Sequence, residues 1–111
     1  EHFSVVGFDI NLDRVDSLNK SEDLNKEIVL AKNNKLSFTN NINHISNANI
    51  YVVTVPTPVT DDNTPDLTIL KRASKMIAGL LRQDDIVIYE STVYPGVTEE
   101  VCIPILEEES T

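Results

Sequence analysis

Two apolar, β-rich runs, residues 50–55 (Ile-Tyr-Val-Val-Thr-Val) and 86–89 (Ile-Val-Ile-Tyr), are separated by a stretch in which Leu67, Leu70, Ala73, Ile77, Leu80 and Leu81 repeat at helical spacing. This strand-helix-strand order constrains the fold more than any other feature. It implies a right-handed crossover and a parallel pair of strands. Neither run alternates with polar residues. The first, the most continuous apolar run of the chain, is therefore expected to be central and buried on both faces by helices. Its end at Pro56 and Pro58 follows from the missing proline donor, which leaves the Thr57 hydroxyl free between them. The second run stops at Glu90-Ser91-Thr92 and passes through Pro95-Gly96 into another helical pattern, Val97, Val101 and Ile105. In open parallel sheets, ligands bind outside the carboxyl ends of the strands. The two polar exits, 56–58 and 90–98, are thus the places to look for a site.

The remaining segments extend the same grammar. Residues 3–10 read as a strand ending at Asp9, after which Leu12, Val15 and Leu18 mark a short helix capped by Asn11 or Asp13. Leu24, Ile28 and Ala31 predict a second helix ending near residue 35. Residues 36–39 alternate as a short edge strand, and the Asn-rich stretch 40–49 fits a single helical turn. Residues 59–66 form a polar loop in which Asp66 or Thr64 caps the next helix. Pro104 is expected to kink the last helix or lie near its end. The sum is an α/β fold with parallel strands flanked by helices, and no Asn-Gly or Asp-Gly hairpin signal breaks the pattern.

Composition excludes several functions. A net charge of −9 argues against nonspecific nucleic-acid binding and against anionic membrane surfaces. No apolar run approaches the roughly 20 residues of a membrane span. A single cysteine, Cys102, excludes an internal disulfide framework and points to a reducing, cytoplasmic setting. Flanked by Val101 and Ile103, it reads as a small buried hydrophobe. No metal is expected. His2 and His44 are isolated, and the oxygen-rich run Asp61, Asp62, Asn63, Asp66 lacks the central glycine and terminal glutamate of a calcium loop. One hundred and eleven residues suit a single domain. The absence of an initial Met and three acids at 107–109, opposed to a helix dipole, suggest a chain cut from something longer.

Individual residues admit two readings. Asp9 is either a loop acid or helix cap, or the ribose-binding acid at the tip of a dinucleotide-fold strand. The glycine-rich loop that should precede such an acid by about 20 residues is absent, the glycines being Gly7, Gly79 and Gly96. Thr57 and Thr92 either close turns or direct their hydroxyls at a cofactor. Glu90, one carboxylate with no paired acid or histidine, is weak as a general base.

The motifs Val55-Pro56-Thr57-Pro58-Val59, Pro65-Asp66-Leu67-Thr68 and Tyr89-Glu90-Ser91-Thr92-Val93-Tyr94-Pro95-Gly96-Val97-Thr98 closely resemble the nucleotide-binding domain of the UDP-glucose/GDP-mannose dehydrogenase family. The likeness is strongest to its UDP-N-acetylhexosamine 6-dehydrogenase branch, which serves capsule, Vi and O-antigen synthesis in bacteria. Gly7-Phe8-Asp9-Ile10-Asn11 is similar to that domain's second strand. The resemblance implies an incomplete Rossmann-type sheet, with the first strand and glycine-rich loop lying before residue 1. It implies a parent enzyme that uses NAD to oxidise the C6 hydroxyl of a UDP-sugar to the carboxylate for surface polysaccharide. The catalytic cysteine and sugar-binding part would follow residue 111, so this piece is expected to be inactive and to bind no NAD alone. Carried over by position, Asp9 and Arg14 fall at the adenosine end, Thr57 in a cofactor-contacting loop, and Thr92 at the nicotinamide end, positioning a catalytic water. Glu90 and Tyr94 line the site. Homo-oligomers are expected, since unpaired strand edges invite association. The alternative is a non-catalytic structural or signalling domain of flavodoxin-like topology. That topology would need clustered acids after the first strand and a lysine after the last, which the chain lacks.

Overall fold

The computed structural model describes residues 2–22 and 35–110. The helix expected over residues 24–35 lies almost wholly outside them. The chain divides into two compact units, Glu1–Asn47 and Ala48–Thr111.

In the first unit, β1 (Val5–Phe8) pairs in parallel with β2 (Leu36–Thr39), with Gly7 opposite Phe38. The strand is shorter than the 3–10 expected, and Phe3 and Ile10 are exposed. A Cβ on Gly7 would lie 2.6 Å from the Phe38 ring, so the glycine lets that ring lie across β1. Helix α1 (Leu12–Asn19) begins at Asn11, whose side chain accepts from Arg14 N–H. Of the two candidate caps, Asn11 is the one used. Its apolar face is narrower than the spacing predicts: Val15 is buried with Ser17, while Leu12 is exposed. At the end of α1 the Asn19 amide donates to Phe38 C=O at 3.1 Å and accepts from Phe38 N–H at 3.2 Å. Because Val5 and Asp9 N–H fall on Lys35 and Thr39 C=O, the Phe38 peptide groups face away from β1. Asn19 thus satisfies part of the open edge of β2 as a strand would. A 3₁₀ turn (Ile42–Ile45) follows, as the Asn-rich stretch predicts, and buries Ile45.

In the second unit, β3 (Ile50–Val53) and β4 (Ile86–Tyr89) form a parallel pair joined through α2 (Thr68–Ala78). The expectation that the first of these strands is buried on both faces is overturned. Tyr51 and Val53 are buried, but Ile50 and Val52 are 52% and 55% exposed, as are their partners Ile86 and Ile88 at 53% and 40%. Among the described residues, helices cover one face only. Nor is the strand central among the described residues, where it pairs only with β4. On the covered side Leu70, Val53, Val97 and Cys102 form the core, with Leu67, Ala73, Ile77, Val87 and Val101 packed against it. Burying a side chain such as Leu70 contributes about 1.5–3 kcal/mol.

Asp66 Oδ1 accepts from Thr68 N–H at 2.9 Å, so Asp66 rather than Thr64 serves the start of α2. Its hydrogen bonds to the Thr68 hydroxyl and amide hold its carboxyl below the usual range. The polar loop before it closes on itself, with Val59 bridged to Pro65 and Thr60 N–H donating to Thr64 C=O. After β4 the chain forms a π turn (Thr98–Cys102) that runs into α3 (Ile103–Glu109). Pro104 stands in the first turn of α3 rather than near its end. Its ring would clash with the carbonyl four residues back, and the wide turn, in which Ile103 N–H donates to Thr98 C=O, relieves that conflict just upstream. The exposed pair Lys75–Glu109, at 3.4 Å, partly offsets the acidic end of α3.

One polar chain crosses this core. Ser74, fully buried, donates its one proton to Leu70 C=O at 2.9 Å, so the Tyr89 phenol must donate to Ser74 Oγ at 2.7 Å. Burial, with the Cys102 thiol nearby, raises the phenol above the ordinary tyrosine value. Burial likewise raises Tyr51. A phenol whose folded pKa exceeds its unfolded one leaves stability unchanged below roughly pH 10 and lowers it as pH rises further. Tyr89→Phe is therefore expected to cost about 1 kcal/mol at neutral pH. It should also shrink the alkaline decline, both readable by urea denaturation across pH.

Candidate functional site

The residues singled out from sequence fall into two clusters, one in each unit. At the carboxyl end of β1, Asp9 extends the ladder through its N–H to Thr39 C=O. Its carboxylate turns back on the chain: Oδ1 accepts from Asn11 N–H at 2.9 Å and Oδ2 lies 3.9 Å from Arg14 Nε. The short turn into α1, fixed by the Asn11 cap, is what brings Arg14 round to the acid. The Asp9 side chain remains 40% exposed, so its oxygens keep room for a further donor. Asp9 therefore braces the turn, as the loop-acid reading expects, and presents a partly exposed carboxylate at a strand tip. Beside it, at the end of β2, Thr39 Oγ1 contacts His44 Nδ1 at 2.7 Å and accepts from Asn41 N–H.

In the second unit Thr57, Thr92, Glu90 and Tyr94 gather at the carboxyl ends of β3 and β4. Thr57 and Thr92 line an open cleft of about 320 Å³ whose other walls include Val59, Leu67, Val93 and Tyr94. The Thr57 hydroxyl is not free as the sequence reading has it. It donates to Thr92 C=O. The Thr92 hydroxyl makes no hydrogen bond among the described residues and is exposed. Glu90 N–H prolongs the ladder to Val53 C=O at 2.9 Å, and the Glu90 side chain is exposed.

Pro95 and Gly96 form the turn from this cleft into the helix. Val97 N–H donates to Tyr94 C=O at 3.3 Å with Gly96 at φ +94°, the type II arrangement in which proline precedes a residue of positive φ. A Cβ there would also meet the Glu100 carboxylate at 3.2 Å. Two contributors escaped sequence reasoning. Asn11 was read only as a cap, yet its N–H also holds Asp9. Ser91 stands between two more conspicuous neighbours, and its hydroxyl donates to Val55 C=O at 2.8 Å. The signal for Ser91 was a hydroxyl directly after a strand whose partner runs into proline.

Parallel strands with helical crossovers, an acid at a strand tip and hydroxyl-rich strand exits define a Rossmann-type α/β protein. Over 98% of the chain the fold superposes on a GDP-mannose dehydrogenase of Pseudomonas aeruginosa, TM-score 0.82 at 21% identity, matching 28% of that chain. The model of the UDP-glucose/GDP-mannose dehydrogenase family, NAD binding domain, matches residues 1–111, and the chain belongs to that family. It is 48% identical over 108 residues to the UDP-N-acetyl-D-glucosamine 6-dehydrogenase of Pseudomonas aeruginosa, and 47% identical over 105 to the enzyme so named in Salmonella typhi. These alignments take in 95% and 92% of the chain but only 26% and 25% of the relatives, so the chain spans about a quarter of their length. The flavodoxin-like alternative finds no support.

Gly96→Ala is expected to destabilise the chain by about 1–2 kcal/mol, because an L side chain is strained at positive φ. Thermal denaturation checks this, and an unchanged midpoint would show that the turn tolerates the side chain.

Proposed function

We propose that this chain is the nucleotide-binding part of a longer, NAD-dependent dehydrogenase that oxidises the C6 hydroxyl of UDP-N-acetylglucosamine to the carboxylate. The full reaction consumes one sugar alcohol, two NAD⁺ and one water, and yields the uronate, two NADH and three protons. The support is the match of the whole chain to an NAD-binding domain together with identities near 48% to enzymes named for this substrate. NAD and UDP-sugars are cytoplasmic compounds, which suits a cytoplasmic enzyme. Among the described residues no helix is long and apolar enough to cross a membrane.

Each unit carries residues that suit one end of such a cofactor. The exposed carboxylate of Asp9 can accept from ribose hydroxyls, as acids at this kind of strand tip do. Arg14 beside it adds positive charge at the same end. The exposed Thr92 hydroxyl suits the nicotinamide end and the holding of a water. Thr57 contributes by fixing the Thr92 carbonyl, and Glu90 and Tyr94 border the same strand exits. The cleft of about 320 Å³ is at the lower limit for ligand sites, room for one end of a dinucleotide. No Gly-x-Gly-x-x-Gly segment occurs in the 111 residues, so they hold no cradle for the pyrophosphate. When bound, NAD supplies the hydride acceptor.

Two substitutions in the full-length protein test this reading. Asp9→Ala should weaken NAD binding by roughly tenfold to a hundredfold, the worth of hydrogen bonds to a charged group; calorimetric titration giving an unchanged affinity would remove Asp9 from the site. Thr92→Ala should lower turnover while NAD affinity stays nearly constant. A wild-type rate in that variant would refute its role.

A further inference from the structure

The ladder between β3 and β4 does not simply end; its last two bonds are made by different atoms. Ile86 N–H donates to Asn49 C=O at 3.0 Å and Glu90 N–H to Val53 C=O at 2.9 Å, which sets the alternation of the parallel pair. Continued in register, Glu90 C=O would next accept from Val55 N–H, a bond absent among the described residues, and the two after it would run from Thr92 N–H to Val55 C=O and from Thr57 N–H to Thr92 C=O. Neither forms among the described residues. Instead Ser91 Oγ donates to Val55 C=O at 2.8 Å, and Thr57 Oγ1 donates to Thr92 C=O. The same two carbonyls are satisfied, but by side-chain arms, and both backbone N–H groups are released. Neither Thr57 N–H nor Thr92 N–H has a partner among the described residues.

We infer that Ser91 is a positioning residue for the chemistry at Thr92: by taking the ladder place of the Thr92 N–H on Val55 C=O, it keeps the Thr92 amide and hydroxyl available together. This inference rests on the dehydrogenase reading above. A residue with both a free N–H and a free hydroxyl at the lip of a cleft can engage an acceptor oxygen and a water at once. A closed ladder would withdraw the first and re-aim the second. Proline at 56 and 58 assists, because φ fixed near −65° turns the chain away from the pleat. Thr57, on the opposite strand, holds the Thr92 carbonyl in place.

The test is steady-state kinetics of the full-length protein with NAD and UDP-N-acetylglucosamine, alongside hydrogen exchange at the Thr92 amide, for wild type, Ser91→Ala and Ser91→Thr. In Ser91→Ala the Thr92 N–H is expected to fall onto Val55 C=O. Its exchange should slow about tenfold or more, and kcat should drop about tenfold to a hundredfold, the scale of small misplacements at reacting groups. KM for NAD should stay within about twofold, because binding at the adenosine end is untouched. Ser91→Thr keeps a hydroxyl at the same atom and should restore both kcat and fast exchange. Wild-type kcat in Ser91→Ala, an equal loss in Ser91→Thr, or unchanged exchange at Thr92 would each overturn the role. A wild-type protein without NAD-dependent oxidation would instead refute the dehydrogenase reading, and exchange at Thr92 would still decide whether Ser91 keeps the Thr92 amide available.

Discussion

Two parallel strands cannot be joined by a tight turn, and this one constraint organises the Ala48–Thr111 unit. The chain leaving β3 must cross back before β4 can begin, and α2 is that return. The crossover brings Leu70, Ser74 and Ala78 onto one face of the pair and delivers both carboxyl ends to the same side. Everything of chemical interest there follows from that delivery. Thr57, Ser91 and Thr92 belong to segments 35 residues apart in sequence, yet exchange hydrogen bonds because parallel strands end together.

The core beneath is not purely apolar. A fully buried serine in the middle of α2 would be costly without partners, and Ser74 has two, Leu70 C=O and the Tyr89 phenol. The phenol in turn lies by Cys102, on the π turn before α3. Helix, strand and π turn are thus tied by directional bonds as well as by packing, which fixes where the Tyr94-Pro95-Gly96 turn starts. In the other unit a comparable economy serves Asp9, where one asparagine caps α1 and braces the acid.

Much of this was legible along the chain. The span of β4, a cap for α1 at Asn11 or Asp13, the turn at Pro95-Gly96 and a start of α2 just after Asp66 or Thr64 are local matters, decided by propensity, by φ restrictions and by side chains reaching their own backbone. The family motifs at 55–59 and 89–98 were legible too, because they are short and contiguous. Other features were not. Ile50 and Val52 look as buried as Tyr51 and Val53 in sequence, since an unbroken apolar run carries no sign of which face a helix will cover. Ser74 falls between Leu70 and Ile77 on the apolar stripe of α2, and the phenol that bonds its hydroxyl lies on another element. Pro104 looks like a kink, and only the turn preceding it shows how the helix widened to admit it.

By itself, then, the sequence determined the kinds of element, their order and the residue types at the strand exits, for those depend on neighbours within a few positions. The tertiary structure decided which face of β3 and β4 is covered, which hydroxyl is spent and which stays free, and that Ser91 takes over a backbone bond. Those outcomes depend on distances between segments far apart in the chain, and no periodicity or local preference encodes such a distance.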